Sequence, residues 1–242
     1  MSDTCLPREV MRTVLITGAS RGLGLEFARQ YAELGWRVLS TCRSPNQAPA
    51  LRELAERHPS MRLHALDVAQ DKSVQSLADV LDGTPIDVLL NNAGIAGRID
   101  RQVLGALDYR VGHETMETNL FGPLRMAEAF LEHVAASDQR KIMTVSSALG
   151  SISTTTGGSL FYRCSKSAVN MAMASLARDV AQRGVIVGVL SPGLVATDLT
   201  ADVDGLKVTP QESISALIPI IDAFTPEQSG QFIRYTGLQV SW

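Results

Sequence analysis

The chain has 242 residues, a formal net charge of −3, and 45% hydrophobic against 19% charged residues. One domain is the default at this length, and the composition is that of a globular chain, not a disordered one. The charge is mild and evenly mixed, without the basic tract that marks a nucleic-acid binder, and no apolar run reaches the roughly 18 residues a transmembrane helix needs.

The stretch Met1 to Met11 carries Asp3, Arg8 and Glu9 with no apolar run behind them. Residues 1–12 are therefore expected to be a tail, not a secretory signal. Thr13 to Thr17 is a short β-branched and aliphatic run that reads as a strand. A glycine cluster follows, Gly18 to Gly24, and then Leu25, Phe27, Ala28, Tyr31, Ala32 and Leu34 recur at helical spacing until Gly35. Further strands are expected at Trp36–Thr41, Met61–Leu66, Ile86–Leu90, Lys141–Ser146, Val185–Leu190 and, last and short, Phe232–Tyr235. Helices are expected at Ala50–Glu56, Ser73–Leu81, Ser165–Gln182 and Pro210–Phe224, the last kinked at Pro219. Ile95 to Val111 reads as irregular. Glu114 to Ala136 reads as one long helix bent at Gly122-Pro123.

Strands of near-continuous apolar residues alternating with helices predict an α/β fold. The sheet is a doubly wound parallel one, covered on both faces, in a single Rossmann-type domain. No linker, repeat or low-complexity tract interrupts the chain. The cysteines, Cys5, Cys42 and Cys164, are odd in number and form no CxxC pair. That argues against a disulfide framework and a zinc site, and favours a reducing compartment, the cytoplasm. His58, His64, His113 and His133 lack ligand spacing and read as separate surface side chains.

A glycine turn between the first strand and its helix is where such a sheet binds phosphates. The helix N-terminus offers unpaired N–H groups and a partial positive charge, and glycines let the backbone approach. Here the spacing is Thr17-Gly18-x-x-x-Gly22-x-Gly24, which by itself also suits a plain strand–helix turn. An acid at the end of the second strand would hold the ribose 2′-hydroxyl of NAD. The second strand instead runs into Cys42, Arg43 and Ser44. Arg43 can pair a 2′-phosphate and Arg21 can add a second contact, so NADPH is favoured and NAD is the less favoured cofactor. The plainer reading of Arg43 is a solvated loop residue.

Tyr162 and Lys166 stand four residues apart. On a helix they share one face, about 6 Å apart along the axis. A nearby ammonium stabilises tyrosinate, so the spacing predicts a lowered phenol pKa and a usable acid/base. Ser146 and Ser147 end the fifth expected strand, where a hydroxyl faces the ligand crevice of an open sheet. Asn119 lies beside the expected bend, where a surface amide is the plainer reading.

Together, Thr17 to Gly24, Asn91-Asn92-Ala93-Gly94, Asn119, Ser147, Tyr162-x-x-x-Lys166 and Pro192-Gly193 resemble the short-chain dehydrogenase/reductase family. The likeness runs from about Val14 to Trp242. It implies that Tyr162 is the catalytic acid/base and that Lys166 lowers its pKa and holds the nicotinamide ribose. It further implies that Ser147 polarises a carbonyl and that Asn119 holds a water linking Lys166 to solvent. Gly18, Ser20, Arg21, Gly22, Leu23 and Gly24 would surround the pyrophosphate and adenosine side, with Arg43 at the 2′-phosphate. Asp67 and Val68 would touch the adenine. Asn91, Ala93 and Gly94 would line the adenosine ribose and the cleft. Pro192, Gly193, Val195 and Thr197 would hold the nicotinamide amide.

Two departures from the family pattern stand out. The interval from Ser147 to Tyr162 is long, so Ser146 and, more remotely, Ser159 remain alternatives to Ser147. The segment Ile95 to Val111 is also longer than a minimal connection. With the run Tyr162 to Asn170 and the ending Phe232 to Trp242, these traits resemble the C-factor and sniffer-type carbonyl reductase branch. That likeness implies reduction of a ketone, aldehyde or quinone. The alternatives are an NAD-dependent alcohol dehydrogenase and a dinucleotide-binding signalling protein. Residues 196–208 would be a substrate lid, although an ordinary exposed connection also fits. Ile95, Leu149, Leu194, Leu199 and parts of Ile99 to Leu107, with Phe161 or Trp242, are candidate pocket residues for an apolar carbonyl compound. Members of the family are commonly homodimers or homotetramers built on the helices of Asn119 and Tyr162. The small residues from Ala168 to Ala177 suit such packing, or packing on the protein's own sheet.

Overall fold

The computed structural model describes residues 11–201 and 203–242. Met1 to Val10 of the expected tail, with Cys5, and Asp202 of the expected lid lie outside the described residues.

Seven parallel strands form one sheet: β1 (Thr13–Ile16), β2 (Arg37–Cys42), β3 (Met61–Ala65), β4 (Val88–Asn91), β5 (Lys141–Val145), β6 (Ile186–Ser191) and β7 (Phe232–Arg234). Their order is β3-β2-β1-β4-β5-β6-β7. The chain starts in the middle, winds out to β3, and returns to place β4 on the other side of β1. That reversal opens a crevice at the carboxyl ends of β1 and β4.

The helices are α1 (Gly22–Glu33), α2 (Pro49–Arg57), α3 (Asp71–Val80), α4 (Tyr109–Met116), α5 (Gly122–Ala135), α6 (Leu160–Asp179) and α7 (Pro210–Ala223). Successive strand residues point to opposite faces, so β1 sends Val14 and Ile16 into one core and Leu15 into the other. Phe27 and Tyr31 of α1, Leu51 of α2 and Leu217 of α7 fill the first core. Leu77 of α3, Phe130 of α5 and Met173 of α6 fill the second. Covered on both faces, β1, β4, β5 and β6 are buried throughout, as their apolar sequences predict, whereas the edge strand β3 alternates Met61 and Leu63 with Arg62 and His64.

Several boundaries differ from the sequence reading. The single bent helix expected from Glu114 is α4, a π-helical turn at Glu117–Phe121, and α5. It starts at Tyr109, inside the stretch read as irregular, because the Asp108 carboxylate accepts a hydrogen bond from Arg110 N at 3.0 Å and caps it. Pro123 follows directly on the π-helical turn, where the regular hydrogen-bond ladder is already interrupted and its missing N–H is accommodated. α6 begins at Leu160, not Ser165, and so carries Tyr162 in its first turn. Of the histidines read as surface groups, only His113 is exposed; His58, His64 and His133 are half-buried. No helix among the described residues is long and apolar enough to cross a membrane.

Candidate active site

The crevice holds a cleft of about 1230 Å³. Its floor is the turn from β1 to α1. Gly18, Ser20, Arg21, Gly22, Leu23 and Gly24 all line it. Gly24 admits no side chain: a Cβ would fall 2.3 Å from the Gly18 carbonyl oxygen and 2.5 Å from Asn92 Nδ2. Asn92 Nδ2 donates to the carbonyls of Thr17 (2.9 Å) and Gly18 (3.2 Å). The Thr17 hydroxyl in turn accepts from the backbone N–H groups of Asn92 and Ala93, both at 3.0 Å. The turn is thus tied to the end of β4. Helix α1 has no side-chain cap and no acid in its first turn, so its first N–H groups are left for an anion. An uncapped helix start, a glycine cradle and an exposed Arg43 at the rim fit a phosphorylated dinucleotide.

The remaining cofactor candidates divide. Asp67, Val68, Ala93, Gly94 and Thr197 line the cleft. The Asn91 side chain does not. It is 2% exposed, and its Nδ2 faces the Thr144 hydroxyl at 3.4 Å inside the sheet. Strand alternation turns Asn91 inward and Asn92 outward, so Asn92 is the residue at the cleft. Arg21 reaches across the mouth to Asp198 at 3.4 Å, so the arginine expected to add a second contact beside Arg43 is here paired with the opposite loop. Val195 is buried and bridges to Val208, and Pro192 accepts a hydrogen bond from Ser213 Oγ at 2.8 Å. Gly193 packs on Tyr235, where a Cβ would fall 2.6 Å from the ring. These three residues bring the chain from β6 into residues 196–208. That loop is closed at its base by Ala196 N to Val208 O and Val208 N to Leu194 O, each 2.9 Å.

Tyr162, Ser147 and Lys166 converge beside the cleft: none of them lines it, but Gly94, which does, packs against Lys166, with a Cβ there falling 3.6 Å from Lys166 Nζ. Lys166 is 5% exposed; its Nζ donates to the Val145 carbonyl at 3.0 Å and lies 5.9 Å from the centre of the Tyr162 ring. Burial holds this ammonium down to about 8 from its ordinary 10.5. Burial also pushes the Tyr162 phenol up, while the neighbouring Ser147 hydroxyl pulls it back. The expected lowering of the phenol by Lys166 is not seen without a bound cofactor: burial is the larger influence on Tyr162, and Ser147 is the neighbour that opposes it.

Asn119 sits in the π-helical turn, 1% exposed. Its Oδ1 accepts from Ile95 N (2.9 Å), and its Nδ2 donates to Ile95 O (2.9 Å) and Ser165 Oγ (3.0 Å). It is a buried clamp, not the surface amide of the plainer reading, and one Oδ1 lone pair remains for a water.

The three serines are separated by their surroundings. Ser146 turns into the core and donates to Asn170 Oδ1 at 2.6 Å. Ser159 precedes α6 in a left-handed conformation, φ +46°, and its side chain caps nothing. Ser147 is the serine beside Tyr162. Of the candidate pocket side chains, Ile95, Ile99 and Leu199 line the cleft. Phe161 instead packs on Tyr109, 5.8 Å between ring centres, and Trp242 stacks on Phe232 at 5.6 Å. Ser165 and Asn92 were missed as site supports, although both lie inside the motifs that the sequence displays.

A family model described as short chain dehydrogenase matches residues 12–205. The chain belongs to this family and is an oxidoreductase of its fold. Over 237 residues it is 34% identical to 1-hydroxy-2-glutathionyl-2-methyl-3-butene dehydrogenase of Rhodococcus sp., covering 96% of this chain and 100% of that protein. Over 159 residues it is 38% identical to C-signal of Myxococcus xanthus, covering 65% of this chain and 93% of that protein. The crystal structure of NADPH-bound carbonyl reductase from chicken fatty liver superposes with a TM-score of 0.88 at 30% identity, covering 96% of this chain and 99% of that one. With sniffer-type carbonyl reductases in the same set, the chain lies on the C-signal and carbonyl reductase branch.

Proposed function

We propose that this chain is an NADPH-dependent reductase that converts a ketone, aldehyde or quinone to an alcohol, with Tyr162 as the proton donor. The observation that carries the reading is the meeting of Tyr162, Ser147 and Lys166 beside a cleft in which β2 runs out into Arg43, with no acid at that strand end. NADPH, when bound, supplies the hydride. The free N–H groups of α1 and the glycine turn hold its phosphates, and Arg43 pairs its 2′-phosphate. The Ser147 hydroxyl donates to the substrate carbonyl oxygen. Tyr162 O–H gives its proton to that same oxygen, and its raised pKa keeps it loaded at neutral pH. Lys166 holds positive charge beside the tyrosinate left behind. Asn119 keeps the Ile95 backbone in place and orders a water toward Lys166. Residues 196–208, which expose Leu199, Val203 and Leu206, close over an apolar substrate and exclude water.

The similarity to an NADPH-bound carbonyl reductase and to the Rhodococcus dehydrogenase supports nicotinamide-dependent carbonyl–alcohol chemistry. The assembly we propose is a homodimer or homotetramer through α4 and α6, whose Tyr109 and Met171 are 68% and 69% exposed. Cytoplasmic location follows from the reducing environment that free cysteines favour. The match to C-signal favours a second reading, a dinucleotide-dependent signalling protein. A thermal-shift titration with NADPH and NADH, followed by turnover of 4-nitrobenzaldehyde by wild type and Tyr162→Phe, tests the first reading. Preference for NADH, or full turnover by the variant, overturns it. Binding of NADPH with no turnover of any carbonyl compound, together with a partner that binds only the loaded form, favours the second.

A further inference from the structure

The long segment after Gly94 is explained neither by the cofactor cleft nor by the acid–base group. Within it Gln102 is 0% exposed. Its Nε2 donates to the carbonyls of Ala96 (2.7 Å) and Arg98 (3.3 Å). Its Oε1 accepts from the backbone N–H of Tyr162 at 2.8 Å, and its own carbonyl accepts from Leu160 N at 3.1 Å. The loop is wound tightly on this side chain: at Gly97, φ +68°, a Cβ would fall 3.0 Å from Gln102 Nε2 and 2.8 Å from Val111.

The first N–H groups of a helix have no partner within it, and a Ser, Thr, Asp or Asn at the N-cap normally supplies one. α6 lacks that device, since its N-cap Ser159 makes no side-chain bond. Gln102, sixty residues upstream, takes its place with one backbone and one side-chain oxygen. The bond falls on Tyr162 itself, in the first turn, where a helix otherwise frays. We infer that Gln102 is a positioning residue for Tyr162, capping α6 from outside the helix and so fixing the phenol against Ser147 and Lys166. This rests on the reading of Tyr162 as the proton donor.

The test uses the full chain, NADPH and 4-nitrobenzaldehyde. Gln102→Met keeps the shape and removes the acceptor; Gln102→Glu, whose fully buried carboxyl is kept protonated by desolvation, keeps an acceptor for Tyr162 N–H and a donor for the Ala96 carbonyl. The expected result is a fall in kcat of about ten- to a hundredfold in Gln102→Met, the scale of an ångström misplacement. The Kd for NADPH stays within about twofold of wild type, and Gln102→Glu recovers most of the lost kcat. A merely structural role would lower Tm and leave kcat per folded site alone. A kcat in Gln102→Met within about twofold of wild type overturns the inference, and so does an equal loss in both variants. Tyr162→Phe separates the two levels: full turnover there removes the proton-donor reading, whereas its loss beside an active Gln102→Met removes only the positioning role. If neither Gln102 variant folds, or wild type leaves the aldehyde unreduced, amide exchange at Tyr162 in wild type decides. Protection matching the interior of α6 supports the cap, and exchange at loop rates overturns it.

Discussion

On the β1–β2 side of the cleft the ligand-facing surface is mostly main chain: glycines, the open start of α1, and carbonyls held by Asn92. On the β5–β6 side it is side chains, and each is held by a residue far away in sequence. Lys166 leans on the Val145 carbonyl, Asn119 on Ile95 and Ser165, and the start of α6 on Gln102. A main-chain surface tolerates no added atom but needs few partners. A side-chain surface tolerates small changes in shape but depends on buried polar bonds that are costly to leave unmade. The first bank should therefore fail by losing cofactor, the second by losing rate.

The sharpest way to break that comparison is Tyr162→Phe. Removing a positioned proton donor costs about 10² to 10⁴ in kcat, and the expected Kd for NADPH, read by fluorescence titration, is unchanged. A large loss of binding in this variant would mean that the banks are not separable.

On the other bank, Gly24→Val places atoms where the Gly18 carbonyl and Asn92 already stand. NADPH binding is expected to weaken by more than about tenfold, or 1.4 kcal/mol, while circular dichroism keeps its α/β signature. Arg43→Asp is the finer probe of the same bank. Hydrogen bonds to charged groups are worth about 1.5–3 kcal/mol, so NADPH should weaken about ten- to a hundredfold while NADH holds or gains. Equal loss of both cofactors would remove the 2′-phosphate assignment of Arg43.

Acid–base linkage sharpens the picture of the side-chain bank. Burial holds Lys166 at about 8, against 10.5 when unfolded. Between those values the unfolded chain binds a proton that the folded chain has released. The lysine's contribution to stability therefore rises with pH across that window and is lost as pH falls through about 8. Lys166→Met should erase this rise: the Tm of wild type relative to the variant should be higher at about pH 9.5 than at about pH 7.5. The smallest effect is expected where the two banks touch. The Arg21–Asp198 pair is long, 3.4 Å, and about three-quarters exposed on both sides. Asp198→Asn should then move stability by less than about 1 kcal/mol. A larger shift would mean that the pair holds residues 196–208 shut.

Much of the site was legible because its parts are local. Thr17 to Gly24 is one turn, Tyr162 to Lys166 is one helical face, and strands buried on both sides have no choice but to be apolar. The misreadings share another cause. Asn91 and Asn92 are adjacent and chemically identical, and only the phase of β4 decides which of them faces the ligand. Ser146 and Ser147 pose the same problem at the end of β5, and there the motif's choice of Ser147 agrees with the structure, since Asn170 claims Ser146 and Ser147 is left beside Tyr162. The start of α4 was hidden because nothing in the apolar spacing marks Asp108 as a cap. Phe161 turns away from the cleft because α4 packs there, with Tyr109 and Gly112 against its ring.

By itself the sequence determined the fold class, the order of the elements, the glycine turn before α1 and the placing of Tyr162 and Lys166 on one helix, since each depends on residues within one turn or one strand of one another. Tertiary structure alone decided that Lys166 is a weakened ammonium, that Tyr162 is raised and not lowered, and that Arg21 is drawn to Asp198. It also decided that a glutamine sixty residues away accepts from the Tyr162 N–H at the start of α6. Those outcomes depend on burial and on partners that the chain brings together only when the sheet closes, and no local spacing encodes them.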